Sequence, residues 1–255
     1  PATVQFSKHQ KLGKVKDLRL DEASGLAASR KHPGVFYTHN DKGGRARIFA
    51  LSAETGEVLA TLKIEGAVNK DWEDICVGPS ASGKAANTIY KVREPDTIQN
   101  DSLKVEDTLK FKWREQDAES LMIDPEGNLY IISKVKGGQA LFAKLPASGW
   151  GASDPEPIPE SDTARLNIET NKNDPQGADI SPDGTEILVK AEKAVYYYAV
   201  PKKDYLKVVR DTEPQKVETY KRRKDGEAVA WKADGSGFYT LPEGENPTFH
   251  FYRKL

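Results

Sequence analysis

Five short segments of the chain carry acids at matched positions: Glu22-Ala-Ser-Gly-Leu26, Asp71-Trp-Glu-Asp-Ile75, Asp117-Ala-Glu-Ser-Leu121, Gln176-Gly-Ala-Asp-Ile180 and Asp225-Gly-Glu-Ala-Val229. The first column reads Glu22, Asp71, Asp117, Gln176 and Asp225; the third reads Ser24, Glu73, Glu119, Ala178 and Glu227. In extended backbone, residues two apart point to the same side, so each Asp-x-Glu pair can aim two carboxylates one way. Carboxylates converging on one narrow axis repel one another when ionised and dry. A bound cation, protonation, or pairing with basic side chains would relieve that repulsion. Calcium suits such a ring best, because it takes six to eight oxygen ligands in flexible geometry. Magnesium is possible but demands stricter octahedral placement. Zinc has little support, since His9, His32, His39 and His250 show no ligand spacing. The expected metal set is Glu73, Glu119 and Glu227 with Asp71, Asp117, Asp225 and Glu22. A structural reading competes with it: acids here can accept hydrogen bonds from backbone amides of neighbouring elements, and Asp74 and Asp179 are placed to do so.

A second set of polar residues follows the strands after these segments. His39-Asn40-Asp41 leads into Lys42-Gly43-Gly44, and Ser133-Lys134 into Val135-Lys136-Gly137-Gly138. His39, Asn40, Asp41, Lys134, Gln176 and Asp179 are the expected ligand contacts, with Lys134 able to neutralise a ring glutamate. His39 and Asp41 are the weak candidates for a base or nucleophile. The Gly-Gly pairs read as hairpin turns and not phosphate loops, because no helix start follows them. No Gly-x-Ser-x-Gly elbow supports a serine nucleophile.

The elements that position these groups repeat with the segments. The last residues of the five segments stand 49, 46, 59 and 49 positions apart, close to one four-stranded propeller blade. Alternating apolar residues precede each segment, as at Val58, Ala60, Leu62 and Ile64, the period of a half-buried strand. Turns such as Asp124-Pro-Glu-Gly127 and Ser181-Pro-Asp-Gly184 follow, then second and third strands. The expected fold is all-β: one domain over residues 1–255, a five-bladed β-propeller of four-stranded blades, with six blades as the alternative count. The chain ends after a third strand and begins with a strand-like segment at residues 14–20, so the N-terminal segment is expected to close the last blade and remove an open sheet edge. The segments then ring one mouth of the central channel.

The second blade is the exception. Only residues 80–87 separate its first strand from Thr88, which is short for a strand with two turns. Either the blade lacks a strand or residues are missing between Pro79 and Thr88; the second is preferred, and it makes any site list incomplete.

Lys and Arg number 38 against 39 Asp and Glu, a net charge of −1, which gives no case for nucleic acid or an anionic membrane. No apolar run is long enough to span a bilayer. A single cysteine, Cys76, excludes an internal disulfide. The chain starts at Pro1, and a secreted or periplasmic protein with its signal peptide removed is expected.

Glu22-Ala-Ser-Gly-Leu26, Thr38-His-Asn-Asp41, Asp71-Trp-Glu-Asp-Ile75, Gly177-Ala-Asp-Ile-Ser-Pro-Asp-Gly184 and Gly226-Glu-Ala-Val-Ala-Trp231 occur in that order. In this the chain resembles a poorly characterised group of secreted or periplasmic β-propeller proteins. The resemblance implies a propeller with polar groups at its channel mouth and no established reaction. The expected function is a binding protein, holding a cation at the mouth and presenting that face to a small molecule, a glycan or a protein. The alternatives are a metal-dependent hydrolase of the lactonase or phosphotriesterase type, and a lectin.

Overall fold

The computed structural model describes residues 3–41, 44–78, 81–85, 88–115, 117–136, 138–168, 170, 172–222 and 226–255; at 81–85, 136, 172, 173 and 227 it describes the backbone alone. Asp225 therefore lies outside the described residues, as does the side chain of Glu227.

In chain order the strands are β1 (Gln10–Lys14), then β2 (Ala23–Ala28), β3 (Val35–Asn40), β4 (Arg47–Ser52) and β5 (Val58–Glu65). Next come β6 (Ile75–Cys76), β7 (Ala81–Ala85), β8 (Thr88–Val92) and β9 (Asp101–Lys112). They are followed by β10 (Ala118–Ile123), β11 (Leu129–Ser133), β12 (Val135–Lys136), β13 (Leu141–Lys144), β14 (Glu156–Pro157), β15 (Thr163–Arg165) and β16 (Lys172–Asp174). The last stretch holds β17 (Gly177–Ile180), β18 (Glu186–Lys190), β19 (Val195–Ala199), the helix α1 (Tyr205–Asp211), β20 (Gln215–Lys216), β21 (Gly226–Trp231), β22 (Gly237–Pro242) and β23 (Thr248–Arg253).

The chain is mostly β. Antiparallel pairing gives the orders β2-β3-β4-β5, β6-β7-β8-β9, β10-β11-β13-β15, β17-β18-β19-β20 and β21-β22-β23-β1. These are called the first to fifth sheets in that order. The first strands pack in a cycle: β2 against β6, β6 against β10, β10 against β17, β17 against β21, and β21 against β2. The first two sheets are also joined by main chain. Residues 101–104 of β9 pair parallel with β5, and from Val105 onward the same strand pairs antiparallel with β8.

Period-two alternation explains how the sheets stack. Phe36 of β3 points into a cluster with Phe249 and Leu241 of the fifth sheet, while its neighbour Tyr37 joins Trp72, Ile75 and Val77 of the second. Each of the five buried clusters bridges two sheets in this way. Cys76, Ile89 and Phe111 meet Leu121 and Ile131; Met122 and Phe142 meet Ile180 and Val189; Leu188 and Tyr197 meet Val229, Trp231 and Tyr252. Because both faces are covered, β2, β10, β11 and β18 are buried along their whole length.

Three expectations need correction. The N-terminal strand that pairs with β23 is Gln10–Lys14 and not residues 14–20. Leu18 is 77% exposed, while Val15 and Leu20 are plugs in the cluster between the first and fifth sheets, so the leucine spacing there reflects anchoring of a loop. The second sheet does not lack its second strand: Ala81–Ala85 forms β7, paired with both β6 and β8. It fits because β6 is only Ile75–Cys76, which leaves the chain from Ala81 free to form the second strand. Finally, the connection from β19 to β20 contains α1, where no helix was expected; Asp204 caps it by accepting from the Lys207 amide.

Candidate functional site

The segments that open β2, β6 and β10 hold their acids against one another through backbone contacts. The amide of Asp41, just past β3, donates to the Glu22 carbonyl (2.9 Å), and the Trp72 amide donates to the Asp41 carbonyl (2.8 Å). Lys134, just past β11, repeats the first contact by donating its amide to the Asp117 carbonyl (3.0 Å). Asp41 and Lys134 thus occupy equivalent corners of two sheets. Ser24 ties the first two sheets together by donating its hydroxyl to the Glu73 carbonyl (2.9 Å).

Two carboxylate triads result, and they share one member. Asp41, Asp71 and Glu73 each bring a carboxylate oxygen within 4.8 Å of the others, and so do Glu73, Asp117 and Glu119. Glu119 is buried, Glu73 and Asp41 half-buried, Asp71 and Asp117 exposed. Lys134 donates its ammonium to Glu119. Burial pulls the lysine pKa down, but the hydrogen bond and the field of Glu119, Asp117 and Glu73 more than offset this and hold it above the ordinary lysine value. The second triad therefore already contains a cation.

Asn69 stands beside the first triad and was not singled out in the sequence. Its amide nitrogen donates to the Asn40 carbonyl (3.1 Å), while the side-chain oxygens of both Asn40 and Asn69 are shielded from solvent without a hydrogen-bond partner. Such neutral oxygens are hard-cation ligands. The available signal was its place two residues before Asp71. The Asn40 amide nitrogen is committed to the Arg19 carbonyl (2.8 Å) and the Asp21 carboxylate (3.2 Å).

His39 lies deeper than expected. It is 1% exposed, stands edge-on to Trp72 with ring centroids 5.7 Å apart, and has Nδ1 3.1 Å from the Asn40 carbonyl. Burial pushes its pKa down to about 4, against a weaker upward pull from the backbone of Asn40 and Asp74. The ring is neutral at physiological pH.

Below the triads, Asp74 and Asp179 clasp neighbouring first strands. Asp74 accepts from the amides of Ile75 and Leu121, both at 2.8 Å, and so crosses from the second sheet to the third. Asp179 accepts from the Trp231 amide at 2.8 Å and crosses from the fourth to the fifth. Burial raises both acids; Asp179 reaches about 7 despite the opposing field of Arg30 and its backbone hydrogen bonds, and Asp74 is raised further by Asp179 and Glu119. Gln176 is engaged elsewhere, accepting at 2.5 Å from the fully buried Lys190, which also donates to the Gly226 carbonyl. Glu22 is exposed and contributes its carbonyl to Asp41. Among the described residues, Asp41, Asp71, Glu73, Asp117 and Glu119 form the two carboxylate clusters, Lys134 joins Glu119, and Glu22, Gln176 and Asp179 belong to neither cluster.

No family model matches the chain, and no curated protein matches it. Solved structures do. The PQQ-bound aldose sugar dehydrogenase of Streptomyces coelicolor aligns over 100% of this chain and 99% of its own, with a TM-score of 0.57 and 11% identity. The major Malassezia sympodialis allergen Mala s 1 aligns over 98% of this chain and 96% of its own, with a TM-score of 0.56 and 14% identity. Both have β-propeller-like folds, and at these identities the likeness establishes that fold for the present chain.

Proposed function

We propose that the chain is a five-bladed β-propeller of four-stranded blades, closed by β1, that binds one divalent cation at its channel mouth and presents this face to a ligand. Calcium is the preferred ion, held by Asp41, Asp71 and Glu73. The observation that carries this reading is the pair of triads sharing Glu73, of which the second holds Lys134. Three carboxylates drawn this close call for a positive charge, and calcium accepts their oxygens together with neutral amide oxygens such as that of Asn69. The resemblance to secreted and periplasmic propellers agrees with calcium, which is plentiful outside the cell, and the ligand would be a small molecule, glycan or protein.

The test is thermal unfolding with and without calcium after chelator treatment. A cation that binds only the folded chain stabilises it by about 2.7 kcal/mol at a hundredfold excess over Kd. Glu73→Gln removes the shared ligand and abolishes the calcium response. Identical melting with calcium and with chelator in the parent protein rejects the cation reading.

A further inference from the structure

At the end of the sheets opposite the acids, β2 and β21 run out toward Arg30 and Lys232, and the first and fifth sheets border a cavity of about 230 Å³. Residues 26–37 and 230–241, which supply its whole lining, are described without a break. Its walls are apolar: Ala28, Val35 and Phe36 of the first sheet, Pro33 in the β2–β3 turn, Ala233, and the ring of Tyr239. The Phe36 and Tyr239 rings stand 4.5 Å apart between centroids. Three charged side chains complete the lining, and two of them cancel. Lys232 pairs with Asp234 at 2.7 Å, and the same carboxylate accepts from the Ser236 amide (2.9 Å) and hydroxyl (2.6 Å). The third is Arg30, which is exposed. Its Nε donates to the Val77 carbonyl at 3.3 Å, and no carboxylate of the described residues forms an ion pair with its guanidinium. The acids near it are engaged elsewhere. Glu94 accepts from the Arg30 main-chain amide (3.1 Å) and the Ser29 hydroxyl (2.5 Å). Asp179, whose carboxyl feels the field of Arg30, accepts from the Trp231 amide.

Charge, walls and volume together define a ligand. A guanidinium presents five N–H donors in a planar fork that matches the two oxygens of a carboxylate. With Nε on the Val77 carbonyl, the two terminal nitrogens of Arg30 supply that fork. Aromatic walls favour a ring, which packs on them edge-on or offset. An apolar cavity of about 150 Å³ is enough to hold benzene, so about 230 Å³ has room for one ring with a short acidic arm. We propose that this cavity binds a one-ring aromatic carboxylate, its ring against Phe36, Tyr239 and Pro33 and its carboxylate on the guanidinium of Arg30. The site is separate from the mouth and does not depend on a cation there.

Isothermal titration of the whole chain with phenylacetate, in chelator, tests this. Saturable binding is expected, weakened about tenfold in Arg30→Gln, which removes a charge-assisted pair, and less in Arg30→Lys, which keeps the charge without the fork. Phenylacetamide, which lacks the charge, and acetate, which lacks the ring, should each bind more weakly than phenylacetate by a similar factor. Absence of saturable phenylacetate binding, or binding unchanged in Arg30→Gln, overturns the proposal. Phenylacetamide or acetate binding as tightly as phenylacetate overturns it too. Methyl NMR of the parent protein locates the ligand without any variant: ring-current shifts are expected at Ala28, Val35 and Ala233, and shifts confined to other methyls overturn the site. If Arg30 served only as a counter-charge to Asp179, Arg30→Gln would change the pH dependence of stability while the parent bound no phenylacetate.

Discussion

Two corners of the channel mouth are built alike and end in opposite charges. In the first sheet the residue that grips the opening segment is Asp41; in the third it is Lys134, with the same amide-to-carbonyl contact. Asp41 adds a third carboxylate to Asp71 and Glu73, whereas Lys134 gives an ammonium to Glu119. The backbone thus fixes the place and the single side chain sets the charge of the corner; in the function proposed above, the acidic corner takes its cation from solution while the other carries its own.

Three substitutions probe that contrast, in decreasing order of effect. Asp74→Ala removes the clasp beneath both corners and leaves the Ile75 and Leu121 amides buried and unpaired. At about 1–3 kcal/mol for each of the two stranded donors, the loss is about 2–6 kcal/mol, read by urea unfolding. A loss below about 1 kcal/mol would mean the carboxylate is not what joins these sheets.

Asp179→Asn keeps an acceptor for Trp231 but removes the ionisation. The folded pKa of Asp179, about 7, lies above that of an unfolded aspartate. The acid therefore costs no stability below about pH 4, a growing penalty as pH rises from there to about 7, and a constant penalty above. The asparagine variant should gain on the parent between pH 4 and pH 7.5 by up to about 4 kcal/mol, at about 1.4 kcal/mol for each unit by which the pKa is raised. Stability curves that stay parallel over this range would remove Asp179 from the pH dependence.

Lys134→Gln erases the difference between the corners. The pair it breaks is partly exposed, with the lysine side chain at 25%, so the loss in chelator is below about 1 kcal/mol. In calcium the variant should recover that loss and take up two ions where the parent takes one, counted by metal analysis. An unchanged ion count would show that Lys134 does not hold a cation's place.

Much of the fold was legible in the sequence because period two survives where a strand keeps one face exposed, as in β5, where Ala60, Leu62 and Ile64 are buried between more exposed neighbours. Phe36 and Tyr37 face different sheets, and a strand covered on both sides reads instead as a short apolar run. Residues 14–20 misled for a different reason: Leu18 and Leu20 stand two apart as in a strand, but Leu18 is exposed, and Val15 and Leu20 are buried as anchors of a loop. β7 was missed because Ala81-Ser-Gly-Lys-Ala85 has neither β-branched nor aromatic residues; its partners β6 and β8 supply the strand character. At the site, the acid columns placed Asp71, Glu73, Asp117 and Glu119 together, and the position after the second strand placed Lys134 with them. The role of Asn69 depends on the path of residues 66–70 over the first sheet, which no repeat encodes.

The long strand β9 gives the ring an uneven mechanical character. Between the fourth and fifth sheets the seam is held by side chains, the Asp179 carboxylate among them, whereas β12 with β16 and β14 with β9 add short main-chain pairings at the third–fourth and second–third seams. Between the first and second sheets, β9 runs a continuous main-chain ladder from one into the other. Parting them means breaking directional backbone bonds together, so these two sheets move as one plate and carry the first triad rigidly between them. Among the described residues the fourth and fifth sheets share no strand pairing, so their seam is left as the most easily parted line of the ring.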